Sequence, residues 1–224
     1  GELISAILQQ TNREFPDWLH KTPAERFDRA LGEIAKGRKI PESELRQQLD
    51  KYASLIDADP SVEQEDRYYT LVYRHDFFRA GNLAGEKAAA LQRELKSSAP
   101  TQPDTTGAGN AKRLRLIRFR LMQGDAHFAN ISTKALGAAK VAMTAYQSAV
   151  SFSDPKESPE QWRTATRSLA TVLNLLAGSY ALPSSEAEPV IRQAIAITEE
   201  TYGKDHPETA FHLLQLSRQL LDTN

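Results

Sequence analysis

The feature that most constrains this chain is a series of helix-length segments, three of which end at a proline stop. Asp59-Pro60, Asp154-Pro155 and Asp205-His206-Pro207 end stretches of the same character. Between them, apolar residues recur every three or four positions, as in an amphipathic helix, and the alternation of a strand is nearly missing. A recurrence at roughly 50 residues, or twice that, is typical of stacked helical hairpins. We therefore expect an all-α fold of about ten helices in antiparallel pairs.

Local cap signals predict where several of these helices begin. The segments 22–25, 61–64 and 158–161 each place a hydroxyl residue three positions before Glu or Gln, the spacing of a capping box. The second of them is expected to open a helix that is broken at Gly81. A further helix should then run to about Ser97.

Residues 98–110 interrupt the helical pattern. Their sequence, SAPTQPDTTGAGN, combines Pro, Gly and Thr without apolar anchors and predicts a flexible linker or insertion. It would separate an N-terminal helical region, 1–97, from helical repeats in 111–224. The N-terminal region is either a set of degenerate repeats or a separate helical cap. Residues 1–20 show no repeat character and are expected to cap the array.

The overall charge and the missing thiols exclude several functional classes. The chain has 224 residues, with 28 Lys and Arg against 29 Asp and Glu, so its net charge of −1 gives no general reason to expect nucleic acid. Because it contains no cysteine, it has no disulfide, thiolate metal site or cysteine nucleophile. No apolar run approaches the roughly 20 residues needed to span a bilayer.

Motifs for catalysis or metal binding are also missing from the sequence. The five histidines have no metal-ligand spacing, and the acidic residues of 57–66 lack the glycine and closing glutamate of a calcium loop. There is no phosphate-binding loop and no G-x-S-x-G elbow. We therefore expect no catalytic residue, no metal and no cofactor.

Four sequence blocks near the C-terminus occur in an ordered series. They are A-T-V-L-N-L-L-A at 170–177, E-A-E-P at 186–189, A-I-A-I at 194–197 and Y-G-K-D-H-P-E-T-A at 202–210. The series resembles a tetratricopeptide repeat of the kinesin-light-chain type, which reads A-x-x-L-N-N-L-A, E-A-E-P, A-L-x-I and G-x-D-H-P-x-x-A. The resemblance is clearest over residues 164–210. It implies a right-handed solenoid in which the first helix of each hairpin lines a concave groove.

The resemblance also implies which residues of this repeat would face the groove. Asn174 stands at the family's asparagine position, where a side-chain amide can bind a peptide backbone. Thr171 and Arg167 precede it on the same helix face, and His212 and Gln215 are the comparable residues of the last helix. Elsewhere the preceding segments match the family only in periodicity.

A run of cations forms the one local charge feature above background. Lys112, Arg113, Arg115, Arg118 and Arg120 put five cations into nine residues. If the apolar residues of this helix face inward, Arg115 and Arg118 lie together on another face. They could recognise an acidic peptide or phosphate groups. The alternative is an ordinary solvated helix face.

These observations predict a protein–protein interaction module that binds a partner protein or peptide in its groove. The partner-binding candidates are Arg115, Arg118, Arg167, Thr171, Asn174, His212 and Gln215. One alternative is a regulatory or sensor domain of a larger signalling protein, a common setting for repeats of this type. Another is an enzyme whose site is assembled from scattered residues. Cytoplasmic localisation is expected, with the periplasm or secretion left open by the absence of cysteine and a first residue, Gly1, that is not methionine.

Overall fold

In the part of the chain that the structure describes, every regular element is an α-helix. Each helix packs against the next one along the chain, an arrangement consistent with a helical solenoid, and the all-α prediction is confirmed. No described helix is long and apolar enough to cross a membrane. This computed structural model describes residues 1–13, 22–59, 61–97, 108–131, 137–178, 184–207, 209–210, 213–214 and 217.

Nine helices occupy most of the described ranges, close to the number expected from the sequence. Beyond the ninth, the described residues from 207 onward are also helical, where the sequence predicts a last helix. The helices are α1 Glu2–Arg13, α2 Pro23–Arg38, α3 Glu42–Ala58, α4 Gln64–Tyr73, α5 Phe77–Ser97, α6 Ala108–Ala129, α7 Gly137–Phe152, α8 Pro159–Gly178 and α9 Ser184–Tyr202.

The proline stops coincide with helix ends. The helices α3, α7 and α9 end at Ala58, Phe152 and Tyr202, each within three residues of the first residue of a stop. At the second stop, the N–H of Asp154 donates to Ser158 Oγ at 3.1 Å, and the N–H of Ser158 donates to the carbonyl of Asp154 at 2.8 Å. This closed turn stands directly before the first residue of α8, and it redirects the chain into the next helix.

The capping box predicted at the start of α2 is confirmed. Glu25 N–H donates to Thr22 Oγ1 at 3.3 Å, and Thr22 N–H donates to Glu25 Oε2 at 2.7 Å. Two backbone donors that lack a helical partner are satisfied in this way. Pro23 follows at the first helical position, where its missing N–H costs nothing.

The capping box predicted at residues 61–64 is wrong. The hydroxyl and N–H of Ser61 both donate to Asp59 Oδ1, at 2.7 and 2.8 Å, so Ser61 belongs to the turn before the helix. The cap position of α4 is Glu63, which makes no side-chain cap hydrogen bond. Asp59 therefore competes successfully for the hydroxyl that the sequence pattern assigned to the helix start.

The helix break predicted at Gly81 is also wrong. The chain breaks between α4 and α5, where His75 has a φ of 61°, and Gly81 lies inside α5. The glycine serves close packing instead, because a Cβ at position 81 would lie 2.6 Å from Nε2 of His127 on α6. Its missing side chain lets these two helices approach each other.

The helix α6 is common to the main packing clusters. Its residues Leu116 and Phe119 are buried with side chains of α1 to α5, whereas Phe128 is buried with side chains of α7, α8 and α9. Ile117 joins a third, smaller cluster. Residues 98–107 of the predicted linker lie outside the described residues. The last three residues of the predicted linker, 108–110, belong to α6, which begins at Ala108.

The first helix packs against helices beyond its neighbour in the chain. It contacts α2, α4 and α6. Ile4 and Ile7 are fully buried and Leu8 is 2% exposed, all in the cluster shared with α2 to α6. The residues that join α1 to α2, 14–21, lie outside the described part of the chain. This helix therefore covers part of α4 and α6.

Candidate functional site

The candidate surface is formed by α6 and α8, the first helices of two successive hairpins. The two helices contact each other, and Ile117 of α6 and Ala165 of α8 are buried in one cluster with Ala149 of α7. Their inward sides are therefore occupied by packing. Arg115 on α6 and Arg167 on α8 are exposed on the outward sides.

Arg118 is held against α4. Its Nε lies 2.5 Å from Oε1 of Glu65, and it shares a hydrogen bond with Tyr69. Burial lowers the pKa of Arg118, but the hydrogen bond with Tyr69 and the negative charge of Glu65 outweigh burial and raise it. The structure thus shows an internal partner for a side chain that the sequence offers as a binding residue.

Two further cations of the 112–120 run are paired with acids of the same chain. Lys112 Nζ lies 3.4 Å from Oε2 of Glu94 on α5. Arg113 forms an ion pair with Glu157 in the turn before α8. Ion pairs between side chains this exposed add little stability, but they reduce the positive charge that is available to a ligand.

Arg120 has amide partners in place of acids. Its Nη1 donates to Gln123 Oε1 and its Nη2 donates to Gln92 Oε1, both at 2.9 Å. Burial lowers the pKa of Arg120. Within the described residues, Arg115 alone of the five cations has neither an ion pair nor a side-chain hydrogen bond.

Arg167 is fixed by an aromatic pair at the end of α9. Its Nε donates to the hydroxyl of Tyr202 at 2.7 Å, and its guanidinium lies 5.6 Å from the centre of the Tyr202 ring. The Tyr202 ring is also stacked with His206, whose ring centre is 4.6 Å from that of Tyr202, with 23° between the planes. The stack holds an exposed guanidinium in a defined position.

The other candidates on α8 and beyond are placed less fully. Thr171 lies one turn after Arg167 and is half-buried, and its hydroxyl donates to the carbonyl of Arg167 at 2.9 Å. Asn174 belongs to α8, but its side chain is outside what the structure describes. His212 and Gln215 lie outside the described residues altogether.

The described candidate residues fall into two groups, one on α6 and one on α8, and no described side chain is a hydrogen-bond or ion-pair partner of both groups. Arg115 and Arg118 belong to α6, and Arg118 turns toward α4. Arg167 and Thr171 belong to α8, and Arg167 turns toward the end of α9. Sequence reasoning missed Arg163, an exposed arginine one helical turn before Arg167, although the four-residue spacing alone would have placed both on one face.

A buried carboxyl group, Asp125, lies between α6 and α7. Burial raises the pKa of Asp125 to about 6, and the Tyr146 hydroxyl, which donates to Asp125 Oδ1 at 2.7 Å, opposes that rise. The neighbouring Tyr68 donates to the carbonyl of Met122 at 2.8 Å. Both tyrosines are almost fully buried, so this network joins packed helices.

A cavity of about 390 Å³ lies between α1, α4 and α6, with several carboxylates in its wall. One of them, Asp66, accepts a hydrogen bond from the Tyr52 hydroxyl at 2.5 Å, and Glu65 is paired with Arg118. Within the described ranges, no group of three His, Asp or Glu side chains could hold a metal ion. The cavity therefore provides no assembled metal site.

The α6–α8 face can bind through hydrogen bonds and charge, which are the functions of its arginines and of Thr171. Its described side chains contain no nucleophile paired with a base, the arrangement that nucleophilic catalysis requires. Comparisons with protein-family models, with curated proteins and with solved structures give no match, so the tetratricopeptide resemblance rests on the residues of 164–210 alone.

Proposed function

We propose that this chain is a protein–protein interaction module that binds a segment of a partner protein on the face formed by α6 and α8. The observation that carries the proposal is the contact between these alternate helices, whose outward sides carry exposed polar residues. Stacked helical hairpins commonly use such a surface, made from the first helix of each hairpin, to hold an extended or helical peptide.

The order of the C-terminal sequence blocks supports the same proposal. They fall on the hairpin α8–α9 and on the turn after it, as a tetratricopeptide repeat would require. In this reading, Arg167, Thr171 and Asn174 follow one another along the outward side of α8. We propose that the chain acts by binding and without catalysis. Among the described carboxyl groups, Asp125 has the largest rise in pKa, and it accepts a hydrogen bond from a buried tyrosine that packs α7 on α6.

Site-specific crosslinking tests the location of the partner. A photo-reactive benzoylphenylalanine at Thr171 should capture a discrete protein from a lysate of the source cells. The same residue at Val141, which is 40% exposed on α7, should not capture that protein. Equal capture at both positions, or none at Thr171, would contradict the proposed face.

The captured protein then allows a quantitative test. After its identification by mass spectrometry, its affinity for the chain is measured with purified components. The double variant Arg167→Ala, Asn174→Ala should bind it at least about tenfold more weakly, the effect of roughly 1.4 kcal/mol of lost contact. Val141→Ala is the matched control and should bind like the wild type. Equal affinity of the double variant would reject these groove residues.

A further inference from the structure

Three exposed arginines of α6 and α8 have no acidic partner. Arg115, Arg163 and Arg167 are exposed, and none of them forms an ion pair within the described residues. On α6, by contrast, Lys112 and Arg113 are each paired with a carboxylate. The face therefore carries positive charge that no carboxylate of the described residues neutralises.

Arg167 is already ordered for binding. Its Nε donates to the Tyr202 hydroxyl, and its guanidinium carbon lies 5.6 Å from the centre of the Tyr202 ring. Within the described residues, Nη1 and Nη2 of Arg167 have no hydrogen-bond partner. Together these two atoms form the end of the guanidinium group and can bind both oxygens of a carboxylate. A free arginine loses about 2 kcal/mol of rotamer entropy when it is fixed, and the stack with Tyr202 has removed part of that cost before a ligand arrives.

Arg163 adds a second positive charge one turn earlier on the same helix face. Side chains four residues apart on a helix have Cβ atoms about 6 Å apart, and two like charges at that spacing repel each other. Glu160, three residues before Arg163 on α8, is exposed, and no ion pair joins these two described residues. An anion bound to both arginines would remove this repulsion.

We infer that the partner segment bound on the α6–α8 face is acidic, with carboxylates at alternate positions of an extended chain. The inference rests on the binding function proposed above. Alternate side chains of an extended chain lie about 6.7 Å apart on one side, close to the roughly 6 Å that helix geometry sets between the Cβ atoms of Arg163 and Arg167. Arg115, on the helix that contacts α8, would extend the positive surface.

A nucleic acid fits this face less well than an acidic peptide. Binding to duplex DNA that depends mainly on charge commonly uses about 6–10 phosphate contacts, more than these arginines can supply. Single strands are held by bases stacked on free aromatic side chains. Here Tyr202 is already in contact with Arg167 and stacked with His206. The net charge of −1 gives no long-range attraction for phosphate.

The test uses three fluorescein-labelled probes and the purified full chain. The first is a ten-residue peptide with Glu and Ser alternating, the second has Gln at each Glu position, and the third is a ten-nucleotide oligothymidylate. Fluorescence anisotropy gives the affinities at low and moderate salt. The Glu peptide should bind at least about tenfold more tightly than the Gln peptide, and this difference should shrink as salt rises.

The double variant Arg163→Gln, Arg167→Gln should lose the preference for the Glu peptide. Arg192→Gln is the matched control, since Arg192 is an exposed arginine on α9 that is already paired with Glu188. It should keep the preference, and far-UV circular dichroism should show that both variants are folded. Equal binding of the Glu and Gln peptides, an unchanged preference in the double variant, or tighter binding of the oligothymidylate would each overturn the inference.

The protein captured by crosslinking separates this inference from the binding function itself. If that protein binds the Arg163→Gln, Arg167→Gln variant as tightly as the wild type, the acidic partner is rejected and the binding face stands. If nothing is captured at Thr171 while the Glu peptide binds through the arginines, the anion preference stands and the proposed partner function is rejected.

Discussion

A buried arginine links the N-terminal helices to the end of α6. Arg26 of α2 is 4% exposed, and its Nη2 donates to the carbonyls of Ala129 and, at 2.7 Å, of Ile131. These carbonyls lie at or just beyond the last residue of α6, where helical hydrogen bonds run out. Burial lowers the pKa of Arg26 to about 10, so the group stays charged at neutral pH. The sequence gives no sign of this role, because the partner is about 100 residues away.

Replacing Arg26 should therefore destabilise the fold. Arg26→Met keeps much of the side-chain volume but leaves two carbonyls at the end of α6 without this donor, and we expect a loss of about 2–4 kcal/mol in the free energy of unfolding. Urea denaturation measures it. Arg38→Met, at an exposed arginine at the end of the same helix, should change stability by less than about 0.5 kcal/mol. Similar small effects of both variants would contradict a structural role for Arg26.

Asp125 should make stability depend on pH. Because burial raises its pKa to about 6 in the folded state, the folded protein holds this proton more tightly than the unfolded chain. The resulting stabilisation is fully present below the unfolded pKa near 4 and is lost as pH rises through about 6. Between pH 4 and pH 7, the stability of Asp125→Asn should rise relative to the wild type by about 2–3 kcal/mol.

Asp154 provides a control of opposite sign. The backbone N–H groups of Lys156 and Glu157 hold the pKa of Asp154 below its usual value. Its contribution is present above the unfolded pKa and is lost as pH falls, so Asp154→Asn should lose stability relative to the wild type as pH rises from 3 to 5. Thermal unfolding at a series of pH values measures both variants, and parallel curves for Asp125→Asn and the wild type would refute the proposed titration.

At the scale of single elements, the packing of α6 on α7 depends on a close approach between the Gly124 backbone and the Tyr146 ring. Gly124 lies in α6, and a Cβ there would be 2.3 Å from Cε1 of Tyr146, a ring that is almost fully buried. Alanine is favoured over glycine within a helix by about 1 kcal/mol. The steric conflict is larger than this preference, since the buried ring and its bond to Asp125 leave little freedom to move.

Two glycine variants should consequently change stability in opposite directions. Gly124→Ala should destabilise the protein by about 1–3 kcal/mol through overpacking. Gly37→Ala in α2 should stabilise it by up to about 1 kcal/mol, because nothing lies within 4 Å of the added Cβ. Guanidinium denaturation gives both values, and a stabilising Gly124→Ala would show that α6 and α7 are less tightly packed.

The sequence predicted elements well where the deciding contacts are local. The box at Thr22 forms because its partner is three residues away, and the helix ends near the proline stops follow from backbone geometry. The box at Ser61 fails because Asp59 offers a nearer acceptor. At the candidate site, the exposure of Arg167 was predictable, but its contact with Tyr202 joins residues 35 positions apart and depends on how the helices pack.

At the scale of the whole molecule, two hydrophobic clusters both include residues of α6, so we expect the described helices to unfold together as one unit. Buried residues of α6 belong to the cluster with α1 to α5 and to the cluster with α7 to α9. Neither cluster stays complete if α6 unfolds. A substitution that destabilises the N-terminal cluster should therefore also shift the unfolding midpoint measured in the C-terminal helices.

This expectation can be measured with Trp162 of α8 as the reporter. In a background carrying Trp18→Phe, Trp162 is the remaining tryptophan. Leu31→Ala removes a fully buried side chain of α2 and should lower the free energy of unfolding by about 2–5 kcal/mol. Trp162 fluorescence and far-UV circular dichroism should report the same shifted midpoint. Leu55→Ala, at a leucine 61% exposed, should leave the midpoint nearly unchanged, and separate midpoints for the two signals would reveal independent units.

The position of α1 has a consequence for the path of any bound chain. Because α1 packs against α4 and α6 and lines a cavity together with Arg118 of α6, a ligand that ran along the α6–α8 face toward α4 would meet α1. The α6–α8 face is therefore bounded by α1 on the side of α4. In the proposed binding mode, a partner would contribute a short stretch or a chain end, or turn away at α6, whereas an array open at both ends could hold a long continuous segment.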